Sequence, residues 1–363
     1  MSTQRFQAQY GQSTEHNLLG ETELIVSPVH ETNLAILAVN SAMEARNIDE
    51  ICAAVRGLAE RLRLPMHGAD AQEEYLRLQW NGSPTDCVNQ GDVEDDEVAQ
   101  KDRATAKKAR EDALIDALRS ACVGRLESDI IIQSGRKVAT LGQGTHFIEA
   151  SAESEGDQRG LVIRDANGDE SSMNATGRLR ARVTVGANEN VKITASNAWL
   201  LIFSILHGPE QSSMKIQVGD PAHARYLEEK DDKFMAGRHF PAEMMGDPSW
   251  HELRLLPNST QVGFEHIHPH MRLVYVTQGE GTLQTGITRE CADQPFNLFP
   301  GKLVILTPGT WHRFSTGESG LTVQPVHPVT PTSGASSNSH EMFFGTLSNV
   351  GDMQKIIERG ATR

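Results

Sequence analysis

The chain carries two hydrophobic patterns, one typical of helices in its first third and one typical of strands after it. Apolar side chains recur three or four positions apart at Ile48, Ile51, Cys52, Val55, Leu58 and Leu62. This spacing predicts a helix that has Asp49 and Glu50 in its first turn and ends before Pro65. Residues 97–121 are rich in alanine and predict a second helix with an apolar stripe.

From about residue 125, apolar residues alternate with polar ones, which predicts β-strands. The clearest alternation places Leu179, Ala181, Val183 and Val185 between Arg178, Arg180, Arg182 and Thr184. A period of two indicates a strand with one buried face, and residues 165–168 add a turn signal. We therefore expect an antiparallel barrel or sandwich over residues 125–216, with the three arginines paired with carboxylates or facing water.

Composition and charge limit the function classes. The chain has 363 residues, of which 38% are hydrophobic and 23% are charged, and this is typical of soluble proteins with two or three domains. The longest apolar run, residues 198–206, contains a serine and is too short to span a membrane. The N-terminus lacks the apolar stretch of a secretory signal, so a cytoplasmic location is expected. Four scattered cysteines without a CxxC pair argue against disulfides and thiolate zinc sites.

The net charge of −14 argues against a nucleic-acid partner, because binding to phosphates requires clustered Lys and Arg. Residues 1–122 contain 12 Lys and Arg against 21 Asp and Glu, so most of the negative charge lies there. We predict an acidic helical region over 1–122, the β unit without a metal site over 125–216, a third unit over 217–345, and a C-terminal helix or tail over 346–363.

Histidines are concentrated in the third unit, where eight of the 14 lie between residues 239 and 340. His266 and His268 are two positions apart in a strand-like segment, so their side chains share one face. His312 follows the turn at Pro308 and Gly309 and begins another strand-like segment. Neutral imidazoles placed in this way are typical ligands of divalent metal ions.

These segments resemble the cupin family. His266, His268 and Gly279 match its first motif, and Gly301, Pro308, Gly309 and His312 match its second. The resemblance covers roughly residues 250–330 and implies a jelly-roll β-barrel in which His266, His268 and His312 hold a metal. The predicted fold class is mainly β with a helical N-terminal region, and the cupin barrel follows a second β-barrel or sandwich. That second unit contains His146 and His207 but no HxH, so we interpret it as a degenerate cupin.

Two positions depart from the cupin motif. Thr260 stands at the first glycine, and Arg272 stands where the family has a glutamate ligand. A guanidinium cannot bind a metal ion. Its fork does match a carboxylate, so Arg272 is predicted to anchor a substrate. The alternative is that Arg272 points outward or pairs with Glu265 or Glu280.

Three neutral ligands leave coordination positions on the metal for a substrate. His270 lies two positions after His268 and so shares its face of the strand, and it is predicted to move a proton or orient a ligand. The resemblance to three-histidine cupin centres implies a dioxygenase-type oxidoreductase acting on a small anionic metabolite. The expected cofactor is Fe(II), with Zn, Mn, Ni and Cu as alternatives. A metal-dependent lyase or isomerase, a non-catalytic ligand-binding or regulatory protein, and a homodimer remain open. Tyr275 and Trp311 are predicted to be core or pocket wall.

Overall fold

The computed structural model describes most of the chain in ordered segments. These segments are residues 3–9, 11–27, 30–61, 69–82, 97–122, 129–152, 158–176, 178–206, 215–219, 226–229, 234–240, 248–259, 262–266, 271–286 and 295–328. No helix within these segments combines the length and the apolarity needed to cross a membrane.

The described part of the first third contains four helices. They are α1 (His30–Ala45), α2 (Ile48–Arg61), α3 (Ala69–Asn81) and α4 (Glu97–Cys122). The two predicted helices are α2 and α4. Helix α2 begins where the Asn47 side-chain oxygen accepts the backbone N–H of Asp49 at 3.0 Å, which satisfies one of the free donors of its first turn. Its predicted stripe, including Ile51, Val55 and Leu58, is buried.

Three short strands precede the helices and were not predicted. They are β1 (Gln4–Gln7), β2 (Ser13–Asn17) and β3 (Thr22–Ser27). Strand β2 consists entirely of polar residues, so it carries no hydrophobic alternation. Its backbone pairs with a strand near the C-terminal end of the described chain, whereas β3 joins the sheet that follows the helices. The N-terminus therefore contributes to both β units.

The first β unit contains two sheets around a closed apolar core. Its own strands are β4 (Ile130–Arg136), β5 (Val138–Leu141), β6 (Gly144–Ala152), β7 (Arg159–Arg164), β8 (Glu170–Ala175), β9 (Leu179–Val185), β10 (Val191–Ser196), β11 (Ala198–Ile205) and β12 (Lys215–Gly219). One sheet has the order β1-β3-β4-β11-β6-β9-β12 and the other β5-β10-β7-β8. Side chains such as Ile148, Leu161, Ala181 and Ile193 fill the space between them.

The second β unit is one sheet that bends over its own apolar core. Its strands are β13 (Tyr226–Glu229), β14 (Phe234–Phe240), β15 (Ser249–Leu255), β16 (Val262–His266), β17 (Arg272–Gly286), β18 (Phe296–Leu298), β19 (Lys302–Leu306) and β20 (Trp311–His327). The order is β13-β14-β15-β20-β17-β19-β2, with β16 on β20 and β18 on β17. The long pair β17–β20 is irregular around Gly279, whose φ is 77° and where a Cβ would collide with the Gly320 carbonyl.

The two β units pack against each other through a layer of buried side chains. Phe147 and Phe203 of the first unit contact Trp250 of the second, with ring centroids 5.7 and 6.4 Å apart. Arg180 donates to Glu149 of its own unit and to Glu252 of the other, both at 2.8 Å. Gln324 also donates to Glu149 at 2.8 Å, which adds a second polar link between the units.

This layer corrects one expectation about β9. All seven residues of the strand are buried, so the face that carries Arg180, Arg182 and Thr184 is not exposed to water. Arg180 pairs with carboxylates, which was one of the two stated alternatives. Alternation indicates two chemically different faces, but a polar face can also be covered by another sheet.

Candidate functional site

His312 lies at the start of β20 and points into the apolar interior of the second β unit. It is 1% exposed, and its ring lies 6.5 Å from that of Phe314, a member of the interior core. The ring Nδ1 is 3.1 Å from the Thr310 carbonyl oxygen. Since a carbonyl can only accept a hydrogen bond, Nδ1 carries the proton and Nε2 carries the lone pair. Metal-binding histidines are oriented by this kind of hydrogen bond.

Arg272, the first residue of β17, points into the same interior. Its side chain is buried, and its Nη1 donates to the Nε2 of His312 at 3.3 Å. This geometry contradicts the alternative in which Arg272 points outward. Burial lowers the pKa of Arg272 to about 10, so the guanidinium remains charged at neutral pH.

The other predicted ligands are described only in part. The backbone of His266 lies directly opposite His312 in the β16–β20 ladder, so the register brings these two positions together as shared coordination requires. The side chain of His266 and the whole of His268 and His270 lie outside the described part of the structure. Among the described side chains, no group of three His, Cys, Asp or Glu is arranged to hold a metal ion. The three-histidine ligand set and the role of His270 therefore stay predictions.

The described atoms fit a metal ion in one respect and oppose it in another. The Nε2 lone pair of His312 faces the interior, where a ligand atom is needed. The guanidinium of Arg272 takes that lone pair as an acceptor and adds a positive charge. Among the described side chains, His312 therefore offers one ligand atom that suits a divalent ion, and Arg272 occupies that atom in this structure.

Sequence reasoning missed the contribution of the N-terminal segment to this site. The Thr310 hydroxyl donates to the Gln12 carbonyl at 2.7 Å, while the Thr310 carbonyl accepts the His312 ring. The hydroxyl oxygen of Thr307 also lies 2.6 Å from the Gln12 carbonyl oxygen. The segment before β2 thus holds the turn that orients His312. The sequence contains no signal for this, because the partners are almost 300 positions apart and consist mainly of backbone atoms.

A pair of hydroxyls also lies in this region. Thr285 is fully buried and stands directly opposite His312 in the β17–β20 ladder. The Ser13 and Thr285 hydroxyl oxygens are 2.7 Å apart, so β2 adds a polar group beside the position of His312. These hydroxyls are able to hydrogen-bond an oxygen of a ligand.

Tyr275 and Trp311 face away from the interior. Both belong to the apolar layer outside the second core, and the Tyr275 ring lies 6.4 Å from Phe203 of the first unit. Burial raises the pKa of Tyr275 well above its usual value, which disfavours a role in proton transfer. Both residues were predicted to be core or pocket wall, and the structure places them in a buried core.

Comparison with known proteins identifies the second β unit. Residues 252–323, about a fifth of the chain, match the family model described as Cupin domain, which confirms the predicted C-terminal cupin. A search of the curated proteins found no significant match to this sequence.

Several solved structures show distant likeness to the chain. Streptomyces albus HEPD with its substrate 2-hydroxyethylphosphonate and Fe(II) bound has a TM-score of 0.43 and 8% identity, covering 63% of this chain and 73% of that chain. A variant of Bacillus subtilis oxalate decarboxylase has a TM-score of 0.40 and 10% identity, covering 65% and 76%. A Lactobacillus farciminis oxalate decarboxylase formate complex has a TM-score of 0.39 and 12% identity, covering 58% and 79%. At TM-scores this low, the likenesses say nothing about the chemistry of this chain.

Proposed function

We propose that the C-terminal cupin barrel is the active site of a metal-dependent oxidoreductase of the dioxygenase kind, acting on a small anionic metabolite. In this proposal a divalent ion, Fe(II) before Zn, Mn, Ni or Cu, is held by His266, His268 and His312. Arg272 binds the anion. The observation that carries the proposal is the buried guanidinium of Arg272 beside the ring of His312.

A buried positive charge favours an anionic ligand for energetic reasons. Lowering the pKa of Arg272 from 12.5 to about 10 corresponds to about 3 kcal/mol of unfavourable free energy for the charged form. A carboxylate or another oxyanion that accepts two N–H bonds from the guanidinium offsets part of this cost. The surrounding core, which includes Val274, Leu306 and Phe314, excludes water and strengthens the interaction.

The chain's own residues have distinct roles in this proposal. Arg272 fixes the orientation of the anion, and the Thr310 carbonyl keeps the Nε2 lone pair of His312 directed inward. His270 is proposed to move a proton or to orient the ligand. A bound ferrous ion would supply redox chemistry and open coordination positions.

Oxygen uptake tests the proposal directly. The full chain, loaded with Fe(II) without air, is screened with small carboxylates and phosphonates for oxygen consumption and product formation. For an active acid, Arg272→Gln is expected to raise KM by about tenfold or more, because a charge-assisted hydrogen bond contributes roughly 1.5–3 kcal/mol. Arg313→Gln, next to His312 in the chain, removes an equal charge elsewhere and is the control. An unchanged KM in Arg272→Gln would contradict the role of Arg272.

The contact between Arg272 and His312 favours a second candidate function. In this arrangement the barrel offers the guanidinium of Arg272 to an anion without a metal, and His312 positions that guanidinium, which suits a ligand-binding or regulatory protein. Metal-free protein in the presence of a chelator would then show a higher Tm with an anion that is recovered unchanged. A shift that requires added metal would exclude this candidate.

A further inference from the structure

We propose that Arg272 is an internal cation that competes with the metal ion for His312, so that an anionic ligand and the metal bind cooperatively. This inference rests on the proposed metal centre and specifies how that centre is controlled. In it, the anion draws the guanidinium away from His312 and frees the ring for the metal.

The competition follows from the single lone pair of His312. The proton on Nδ1 is committed to the Thr310 carbonyl at 3.1 Å, so Nε2 is the ring atom left to accept a proton or bind a metal. Arg272 Nη1 donates to that atom at 3.3 Å. One lone pair cannot serve the N–H of Arg272 and a metal ion together, so the two states exclude each other.

Charge acts in the same direction as this geometry. Arg272 and His312 are both buried, so water would not screen the guanidinium from a metal ion bound to His312. Two cations repel strongly in such surroundings. The cupin motif to which this chain is similar has a glutamate at the position of Arg272, and a glutamate would contribute both a ligand and a negative charge. Here the residue is positive, so it adds to the charge of a bound metal instead of offsetting it, and an anionic ligand supplies negative charge in its place.

An anion reverses both effects. A carboxylate that accepts two hydrogen bonds from the guanidinium neutralises its charge and competes with Nε2 as the acceptor. The backbone of Arg272 is fixed opposite Leu306 in the β17–β19 ladder, so the movement is confined to its long side chain. Since coupling between two binding events is reciprocal, the metal must also raise the affinity for the anion by the same factor.

Metal affinity measured by equilibrium dialysis or calorimetry tests this inference. The probe is Co²⁺, with the full chain in chloride or in acetate of equal ionic strength. Arg272→Met is expected to bind Co²⁺ at least about tenfold more tightly than the parent in chloride, equivalent to roughly 1.4 kcal/mol. Acetate is expected to strengthen binding to the parent but not to Arg272→Met. Arg272→Gln provides a second uncharged variant in case the methionine variant folds poorly.

Two controls separate the possible failures. Arg313→Gln removes a guanidinium that donates to Gln284 at 2.8 Å. The Co²⁺ affinity of this variant is expected to match that of the parent. An equal gain in Arg313→Gln, equal affinities of the parent and Arg272→Met, or no effect of acetate on the parent would each overturn the competition. Co²⁺ binding that is absent from all variants would instead overturn the metal centre itself. Adding His312→Ala to Arg272→Met should abolish the tighter binding.

Discussion

The two β units each contain a buried histidine, and the partners of the two rings differ. His146 of the first unit uses both nitrogens within the protein, with Nδ1 2.9 Å from the Ser204 hydroxyl and Nε2 2.8 Å from the Gly142 carbonyl. His312 of the second unit has one nitrogen committed to backbone and the other directed at a cation. The ring of His146 is therefore held as a structural group, while the Nε2 of His312 bonds Arg272, the partner that a metal replaces in our proposal.

The pKa of His146 predicts a pH dependence of stability. Desolvation lowers its pKa to about 4, below the usual 6.5, so the unfolded chain binds this proton more tightly than the folded chain. The stabilisation is complete above about pH 6.5 and is lost as the pH falls towards 4, with roughly 2 kcal/mol lost by about pH 5. Urea unfolding of the parent and of His146→Gln is compared at about pH 6.5 and about pH 5. The free energy of unfolding should decrease less in the variant. The same decrease in both proteins would contradict this explanation.

At the scale of elements, the N-terminal strand β2 completes the sheet of the C-terminal unit. It pairs with β19 over five residues, and the Thr307 and Thr310 hydroxyls hold the carbonyl of Gln12 just before it. Lys302 adds an ion pair with Glu15 at 2.9 Å. Since β19 pairs in turn with β17, the strand of Arg272, the N-terminal segment supports both sides of the candidate site.

Thr310→Val tests this support. The variant loses the hydroxyl that donates to Gln12, so the free energy that holds β2 on the sheet is expected to fall by about 1 kcal/mol. Backbone amides of residues 13–17 should then exchange roughly fivefold faster. Thr282→Val is the control, because the Thr282 hydroxyl makes no hydrogen bond within the described residues. Unchanged exchange in Thr310→Val would show that the hydroxyl does not hold the strand.

The elements that could be predicted from sequence are those whose stability comes from an apolar face. Helix α2 and strand β9 have such faces, and the regular spacing of their apolar residues revealed them, whereas α4 was predicted mainly from its alanine content and buries Leu114, Ile115 and Leu118 in its second half. Strand β2 has none, because its pairing depends on backbone groups of a distant strand. The cupin resemblance implied that His312 points into the barrel, whereas its contact with Arg272 depends on how two strands meet across 40 positions.

At the scale of the whole molecule, buried charges help to join the two β units. Glu149 is buried, which alone would raise its pKa, but Arg180 and Arg178 hold the pKa below its usual value, so the carboxylate is charged. Arg180 lies 5.4 Å from the Trp250 ring centroid and is 1% exposed. The buried charge of Arg180 is therefore balanced by Glu149 of the first unit and Glu252 of the second.

Arg180→Met is expected to destabilise the chain by about 3 kcal/mol, because it leaves Glu149 and Glu252 buried without their shared partner. Arg254→Met is the matched control, since Arg254 also donates to Glu252 at 3.0 Å but its side chain is 46% exposed. That variant should lose less than about 1 kcal/mol, as exposed pairs contribute little. Urea unfolding compares the two, and equal losses would contradict the role assigned to the buried layer.

The metal content of the chain tests the central claim most directly. The parent, His312→Ala and His327→Ala are reconstituted with Fe(II) without air in the presence of acetate, desalted and measured by elemental analysis. His327 lies at the other end of β20 and serves as the matched histidine control. We predict about one equivalent of iron in the parent and in His327→Ala, and a loss of that iron in His312→Ala. Iron that is absent from the parent, or retained in full by His312→Ala, would contradict a metal centre in this barrel.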